Sequence, residues 1–561
     1  MIRCRDRRIA VSERYARAKL PIVIGLVTIG DLTNVDLNGL TTFFYDEFRS
    51  YRQRYPHSPF ILLTLADEGS FRLASAAAAV FDILVLNYRS CTPTAPEDPS
   101  LRRSSAESPV EESKSGDDAR DDARELGTLA HACHVLITVS LSGAEVVDAT
   151  LQEPNSDSAH TARLSLISTV MDVEPDFRVE VIELLFEGCP GKINYSVSRF
   201  GAAGTAFDRS VTQQSSDLAM RRTDDFNRDA ATAERRTFGR GVRRKAQLAP
   251  LWTENGDDRG TRLQELFDGA DTLATRYQIK LRRAFQVIFL LAAAAAVFYG
   301  LFLILANGNA RLQEHLLAPY LLLLLIAYTI FYLARRSEIH DRFVEYRALA
   351  EGIRVQLYWV ACGVGKIAGE FYLVRHPFDV HWIRLAMRSA TLKYSDAKNA
   401  SPVCLDSAEK VLKHWISDQR QYYAQGLASG RRGARQARFL VRAIFGLGGC
   451  ATLAVLFQSQ LTAIAPFLRQ ISLVSFLCPS IAAAVVALVN KLGLEYQVQH
   501  YSRMLTIYSQ AERYFAHGLR TSAKAIAIAL GREALRESGN WMLFRRDRGI
   551  EEPSSPFRRP W

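Results

Sequence analysis

The sequence predicts a chain in two parts: an α/β domain with a parallel sheet at the N-terminal end, then an all-α region of four transmembrane helices with cytoplasmic helices. Three observations carry this expectation. Four apolar runs, arranged as two pairs, approach the ~20 residues that a helix rising ~1.5 Å per residue needs to cross a hydrocarbon layer. From Pro21 onward, short apolar runs alternate with stretches of helical periodicity, the pattern of strands covered on both faces. The chain has 561 residues, room for roughly three or four domains, so a single minimal domain is excluded.

Residues 1–20 form an N-terminal tail, MIRCRDRRIAVSERYARAKL. It carries charges throughout and lacks the apolar stretch of a cleavable secretory signal, so the N-terminus is expected to stay where it is made.

The α/β domain is expected over residues 21–204. PIVIGLVTIGDL reads as a strand, LNGLTTFFYDEFRSYRQRYP as a helix, FILLTLADEGS as a strand, FRLASAAAAV as an alanine-rich helix and FDILVLNYR as a strand. Residues 91–120, rich in Pro, Ser, Glu and Asp, interrupt the pattern as a disordered insertion. DDARELGTLAHA then resumes a helix, CHVLITVSLSG a strand ending at Gly143, and KINYSVSRF, Lys192 to Phe200, a last strand.

Ligands of open parallel sheets bind beyond the C-terminal ends of the strands. Two loops would emerge there. Thr28, Gly30 and Asp31 lie on the first, and Glu68, Gly69, Ser70 and Arg72 on the second, after Ala66 and Asp67. Glycines allow close backbone approach, a helix starting near Ser70 offers unpaired N–H groups to a phosphate, Arg72 can pair with it, and the acids suit ribose hydroxyls. Asp31 and Ser70 also have the chemistry of ordinary helix N-caps, and that reading stays open. His131 and His134 are spaced for one helical face but have no third ligand, so no metal site and no cofactor is expected.

VTIGDL before a helix, LADEGSFRLAS after the second strand and HVLITVSLSG after an acidic insertion together resemble the SLOG family, Rossmann-like bacterial domains related to the LOG nucleotide-processing enzymes. The likeness runs from about Pro21 to Phe200. It implies a nucleotide-derived ligand on the two loops just described. The family's first loop typically reads GHRDL and its second EGAD. Here Thr28, Ile29 and Gly30 replace the Gly-His-Arg part, Asp31 and Leu32 remain, and Glu68 and Gly69 precede Ser70 and Phe71. A Gly-Gly-Thr phosphate loop, needed for LOG-type hydrolysis, has no counterpart near Gly143.

Residues 205–260 read as an arginine-dense linker, with Arg221, Arg222, Arg235, Arg236, Arg240, Arg243, Arg244 and Lys245 among acids. A solvated linker and a headgroup-binding segment are both open. Few aromatics interleave with these cations, so no DNA or RNA partner is expected.

The helical membrane module is expected over 261–548. LQELFDGADTLATRYQIKLRR should run straight into a first span over 284–306, paired with a second over 316–334; a third over 439–457 and a fourth over 471–490 form the other pair. Buried helices of a soluble bundle are the alternative. Lys280, Arg282 and Arg283 precede the first span, Arg335 and Arg336 follow the second, and Arg431, Arg432, Arg435 and Arg438 precede the third, whereas the hairpin loops hold only Arg311 and Arg469. By the positive-inside rule both termini are expected to be cytoplasmic, and the chain is expected to be a multi-pass protein of the inner membrane. The spans hold no Asp or Glu, against a proton-coupled transporter, while Gly446, Gly448, Gly449 and the alanine runs 292–296 and 482–484 suit close helix packing. A pore would then need a homo-oligomer.

EIHDRFVEYRALAEGIRVQLYWVACGV places Phe343, Tyr346, Leu349, Ile353, Leu357 and Val360 near one face of an amphipathic helix, with Glu345, Glu351, Arg347 and Arg354 as solvated pairs. AEKVLKHWISDQRQYYAQGLASGRR leads into the third span, further helices follow the fourth, and 549–561 is a tail. YRALAE, VQLYW, KHWISDQRQYY and ALRESGNWMLFRRDR in combination resemble the SLATT-like membrane effector modules that accompany SLOG domains in bacterial conflict systems. That likeness covers about Arg262 to Arg548. It implies a module that perturbs the bilayer or forms a pore in response to a nucleotide signal.

Composition agrees with this frame without choosing within it. Lys and Arg number 70 against 59 Asp and Glu, a net +11 that favours anionic neighbours, lipid headgroups among them. The eight cysteines form no CxxC pair, as expected of reduced thiols in a cytosolic setting. Three functional readings stand at this point: a membrane-anchored sensor and effector in antiphage defence, a membrane-tethered LOG-like nucleotide hydrolase with Glu68 as acid or base, and a non-catalytic membrane scaffold.

Overall fold

The computed structural model describes residues 19–29, 37–65, 84–88, 129, 133–142, 180–187, 194–200, 206–238, 258–305, 310–373, 377–392, 405–457, 467–516 and 523–547. The chain is mostly helical and divides into two compact units, Met1–Leu266 with Ile367–Ser401 and Arg559–Trp561, and Phe267–Lys366 with Pro402–Arg558. The loops holding Gly30, Asp31, Glu68, Gly69, Ser70 and Arg72, the insertion 91–120, His131 and the two tails lie outside the described residues, apart from Lys19 and Leu20.

The first unit is built on a six-stranded sheet of β1 (Ile22–Ile29), β2 (Phe60–Leu65), β3 (Leu84–Tyr88), β4 (Val135–Ser142), β5 (Glu180–Glu187) and β6 (Asn194–Phe200). Its order is β3-β2-β1-β4-β5-β6, parallel through β5, with β6 antiparallel to β5. Helix α1 (Leu37–Arg54) joins β1 to β2 and ends before Pro56, which cannot continue a helical hydrogen-bond ladder. Phe44, Phe48, Tyr51 and Tyr55 stand at helical spacing on one side of this segment and pack with Ile22, Ile24 and Leu26 of β1, Leu62 of β2 and Ile137 of β4. Burying one such aromatic contributes ~1.5–3 kcal/mol, so this stripe holds α1 on the sheet. On the opposite face of β1, a Cβ at Gly25 would stand 2.8 Å from both Cys133 Sγ and Leu136 Cδ1. Only glycine permits that approach.

Strand β5 has no counterpart in the expectation from sequence, because EVIELLFE carries glutamates at both ends of a short run and gives no clear alternation. Its place is set by β4, with which it pairs from Val135↔Glu180 to Ser142↔Glu187.

The arginine-dense segment is not a solvated linker over its first part. Helix α2 (Ala206–Phe238) buries Met220, Thr223, Phe226 and Asn227. Asn227 Oδ1 accepts the Leu20 N–H at 2.9 Å, and its Nδ2 donates to Leu20 O and Ser58 Oγ at 2.9 Å each. Asp224 accepts from the His57 N–H at 2.8 Å and from Ser58 Oγ at 2.9 Å, and the Tyr55 hydroxyl bonds Asp217. Two of its exposed cations are matched within the helix, Arg221 by Asp217 at 2.6 Å and Arg228 by Asp225. Charge density on the outer face conceals a polar and apolar inner face.

The continuous module over 261–548 is likewise revised. Ile367–Ser401 belongs to the first unit, where helix α6 (Pro377–Leu392) packs against α2 and buries Trp382, Ile383, Leu385, Ala386 and Met387.

The second unit holds α4 (Ala310–Arg336), α5 (Ile339–Ala361), α7 (Leu405–Leu456), α8 (Leu468–Leu492), α9 (Leu494–Ala516), α10 (Ala523–Asp547) and most of α3 (Asp258–Leu305), within which the two units divide. Four helical stretches are long and apolar enough to cross a membrane. The expected spans fall inside α3, α4, α7 and α8, apart from Phe457 just past the end of α7 and Ala306, which lies outside the described residues. Leu290, Leu321, Leu325, Phe439, Leu447 and Leu456 are exposed on them, as suits a lipid solvent rather than water. Of the three glycines of the third span, Gly448 meets Cys478 and Pro479 of α8, with Cys478 Cβ 2.9 Å from where its own Cβ would stand, while Gly446 and Gly449 meet nothing within 4 Å. Gly300 of α3 receives Phe476 of α8 in the same way.

Helix α5 departs from the amphipathic expectation. Phe343, Tyr346, Leu349, Ile353 and Leu357 are buried, but so are Val344, Glu345, Ala348, Val355, Gln356, Tyr358 and Trp359, which places α5 in the interior between α10 and α7. The close approach to α10 is set by Gly531, whose missing side chain leaves room for the Trp359 indole, and Trp359 Nε1 donates to Ala527 O at 2.9 Å.

Candidate functional site

The strand order reverses at β1: the chain builds outward through β2 and β3, then returns to the other side of β1 with β4 and β5. At such a switch point the connections leave in opposite directions and open a crevice beyond the strand ends. Thr28, expected on the first loop, is instead the penultimate residue of β1, paired with Val139 of β4, and Ile29 pairs with Ser140. The strands preceding the two candidate loops, β1 and β2, are parallel neighbours with Leu26 opposite Thr64, so both strands end on the same side of the sheet. Of the seven residues proposed from sequence, the described structure therefore places Thr28 at this edge.

The opposite edge is structural. His134 precedes β4, its N–H donates to Val23 O at 2.7 Å, and its Nδ1 accepts the Val23 N–H at 3.1 Å. Burial pushes its pKa down to about 4, so the ring is neutral at physiological pH and extends the β1–β4 ladder by one rung. Among the described residues no cluster of three His, Cys, Asp or Glu could hold a metal ion. Cys133 and Cys362 are buried, and burial raises both thiols, that of Cys362 to about 12, which leaves them poor nucleophiles.

A second locus, missed from sequence, lies in the second unit beyond the apolar segments. Arg347 of α5 pairs with Asp271 of α3 at 2.8 Å and with Glu351, one turn along its own helix, at 2.5 Å; its Nη2 donates to the Tyr422 hydroxyl of α7 at 3.3 Å. Glu351 also pairs with Arg354 at 2.8 Å, and Arg354 stacks 4.9 Å from the Phe267 ring centroid and donates to Gln419 Oε1 at 3.4 Å. Tyr501 of α9 packs edge-on against Tyr422 and Tyr423, and its hydroxyl accepts from Gln497 Nε2 at 2.9 Å. Tyr423 stacks on Tyr508 at 5.7 Å, and Trp415 stacks on Tyr358 at 4.6 Å. A Cβ on Gly426 would stand 2.6 Å from the Tyr501 ring, so that glycine lets α7 and α9 touch.

The four arginine and carboxylate side chains retain only 13–21% exposure, and Glu345 is 5% exposed, so these are not the solvated pairs that their helical spacing suggested. Burial, reinforced by Glu351, raises the phenols of Tyr423 and Tyr508, which therefore stay protonated. Fixed charges matched to fixed charges, and phenols that do not ionise, give cohesion rather than acid–base chemistry. Spacing of three or four residues located Arg347, Glu351 and Arg354; nothing local pointed to Asp271, 76 residues away.

Compared with family models, curated proteins and solved structures, the chain finds no match.

Proposed function

We propose that the chain is a membrane-anchored sensor and effector. Its N-terminal region, Rossmann-like and cytoplasmic, binds a nucleotide-derived signal beyond the β1–β4 strand ends, with Thr28, Gly30, Asp31, Glu68, Gly69, Ser70 and Arg72 as contacts. Its four-span module answers by perturbing or permeabilising the inner membrane of a bacterium in a conflict or antiphage defence system. The observation that supports coupling is helix continuity: α3, of 48 residues, carries an apolar span and the charge-matched Asp271 in a single helix, and α7, of 52 residues, carries an apolar span and the buried Trp415 and Tyr423. A helix transmits rotation or tilt along its axis because its hydrogen bonds run along it, and a ligand shifts such an equilibrium only if it binds one arrangement more tightly.

Permeation in this reading needs several copies. Thr329, Thr452, Ser472, Ser475 and Ser480 each donate to a carbonyl three or four residues back in their own helix, so the donor protons of these span hydroxyls are committed within their helices.

The test is dye release from liposomes holding the full-length chain, with cyclic and linear nucleotides added on the side of the α/β domain. Release triggered by one nucleotide class, accompanied by a thermal shift of the reconstituted protein, supports the reading. Unchanged permeability and no thermal shift with every nucleotide reject it. Turnover of a nucleoside monophosphate would instead establish the hydrolase.

A further inference from the structure

We infer that the second unit binds anionic phospholipid headgroups through a cationic collar at the end of its spans, and that it therefore prefers an anionic leaflet on that side. The collar comes from three helices. Arg282 and Arg283 stand directly before the first span, Arg336 two residues after the second, and Arg431, Arg435 and Arg438 before the third, all exposed. At ~1.5 Å per residue the most distant of these, Arg431, lies about 12 Å from the first apolar residue of its span, within headgroup depth.

Three features separate this collar from an ordinary solvated face. First, the α7 cations follow the spacing i, i+4, i+7, which gathers Arg431, Arg435 and Arg438 into one stripe. Tyr423, Leu427 and Ala434, buried on the same helix, and Gly426 and Gly430, against Tyr501 and Val498 of α9, mark the face that is already occupied. Second, among the described residues no carboxylate pairs with Arg282, Arg283, Arg336, Arg431, Arg435 or Arg438, whereas the cations deeper in the same unit, Arg347 and Arg354, are matched by Asp271 and Glu351. Third, the hairpin ends hold one cation each, Arg311 and Arg469, so the asymmetry is along the membrane normal.

The occupant is a lipid surface because each cationic segment is covalently continuous with an apolar span that fixes its depth. A negative leaflet contributes roughly a fivefold factor in partitioning per cation held near its surface, and the effect fades within a Debye length of ~8 Å at physiological salt.

The full-length chain is reconstituted into nanodiscs of mixed phosphatidylcholine and phosphatidylglycerol, extracted in mild detergent, and its retained lipids are quantified. Phosphatidylglycerol should be enriched several-fold over the bulk ratio, and enrichment should fall as salt rises. The triple variant R431Q, R435Q and R438Q should lose most of that enrichment, the matching lysine variant should keep it, and the double variant R311Q and R469Q should behave as the parent. The inference is overturned if the parent retains lipids in the bulk ratio, if the glutamine and lysine variants are alike, or if the hairpin-end variant loses as much. Stabilisation by inorganic phosphate in phosphatidylcholine alone, equal to that by phosphatidylglycerol, would identify a site for soluble anions and also overturn it.

Discussion

Arg545 donates from Nη1 to the carbonyl oxygen of Leu492 at 2.8 Å, so that a side chain from the C-terminal helix α10 closes the end of the fourth apolar helix, α8. Gly493 follows with φ +61 and its N–H shared between Val489 O and Asn490 O, and His340 Nε2 stands 2.8 Å from Arg545 O. A cation at a helix C-terminus satisfies orphan carbonyls and meets the negative end of the dipole. Replacement Arg545→Gln should destabilise the unit by ~1–3 kcal/mol, and Gly493→Ala by ~1–2 kcal/mol from the left-handed backbone alone. Thermal unfolding in detergent checks both, and parental stability for Arg545→Gln would remove the cap from the account.

Asn227 answers both backbone groups of Leu20, an acceptor to its N–H and a donor to its carbonyl. Substitution Asn227→Leu leaves two buried groups without partners, at ~1–3 kcal/mol each. Hydrogen exchange at Leu20 and along β1 should speed up, while exchange in the second unit should not change.

His134 gives the first unit a defined response to acid. Its folded pKa, about 4, lies below the usual 6.5, so between those values the unfolded chain binds the extra proton and the folded chain does not. The contribution is complete above pH ~6.5 and is lost as pH falls toward 4, amounting to about 2 kcal/mol at pH 5. Stability by chemical denaturation should fall across that window in the parent. A His134→Gln variant, which keeps an acceptor near Val23 but does not titrate, should show a flatter profile, and an identical slope in both would exclude the assignment.

Arg347 joins α3, α5 and α7, with Asp271, Glu351 and Tyr422 as partners. Its replacement by Met leaves two carboxylates with one guanidinium, costing ~2–4 kcal/mol, whereas combining it with Asp271→Asn should recover part of the loss. A double-mutant cycle on unfolding midpoints tests the coupling; strict additivity would mean that the pair contributes nothing.

Gly531→Ala should push the Trp359 indole off Ala527 O and separate α5 from α10, at ~1–3 kcal/mol. A shifted tryptophan emission with retained helicity is the expected signature.

The spans were legible because a run of apolar residues reports a lipid-facing helix without reference to any other part of the chain, and four such runs are the four long apolar helices. Strands β1 to β4 were legible for a similar reason, since Ile22–Val27 is apolar throughout when both faces are covered. Strand β5 was not, nor was helix α2, whose arginines on one face outweighed Met220, Phe226 and Asn227 on the other.

The sequence by itself determined which segments are apolar enough for a membrane and where the parallel sheet begins. Only the tertiary structure decided that Leu20 meets Asn227 across 207 residues, that Asp271 meets Arg347, and that 367–401 rejoins the first unit. Periodicity records what a residue needs, a buried face or a charge partner; which distant residue supplies it follows from chain packing, where many alternatives are equivalent until the helices are in place.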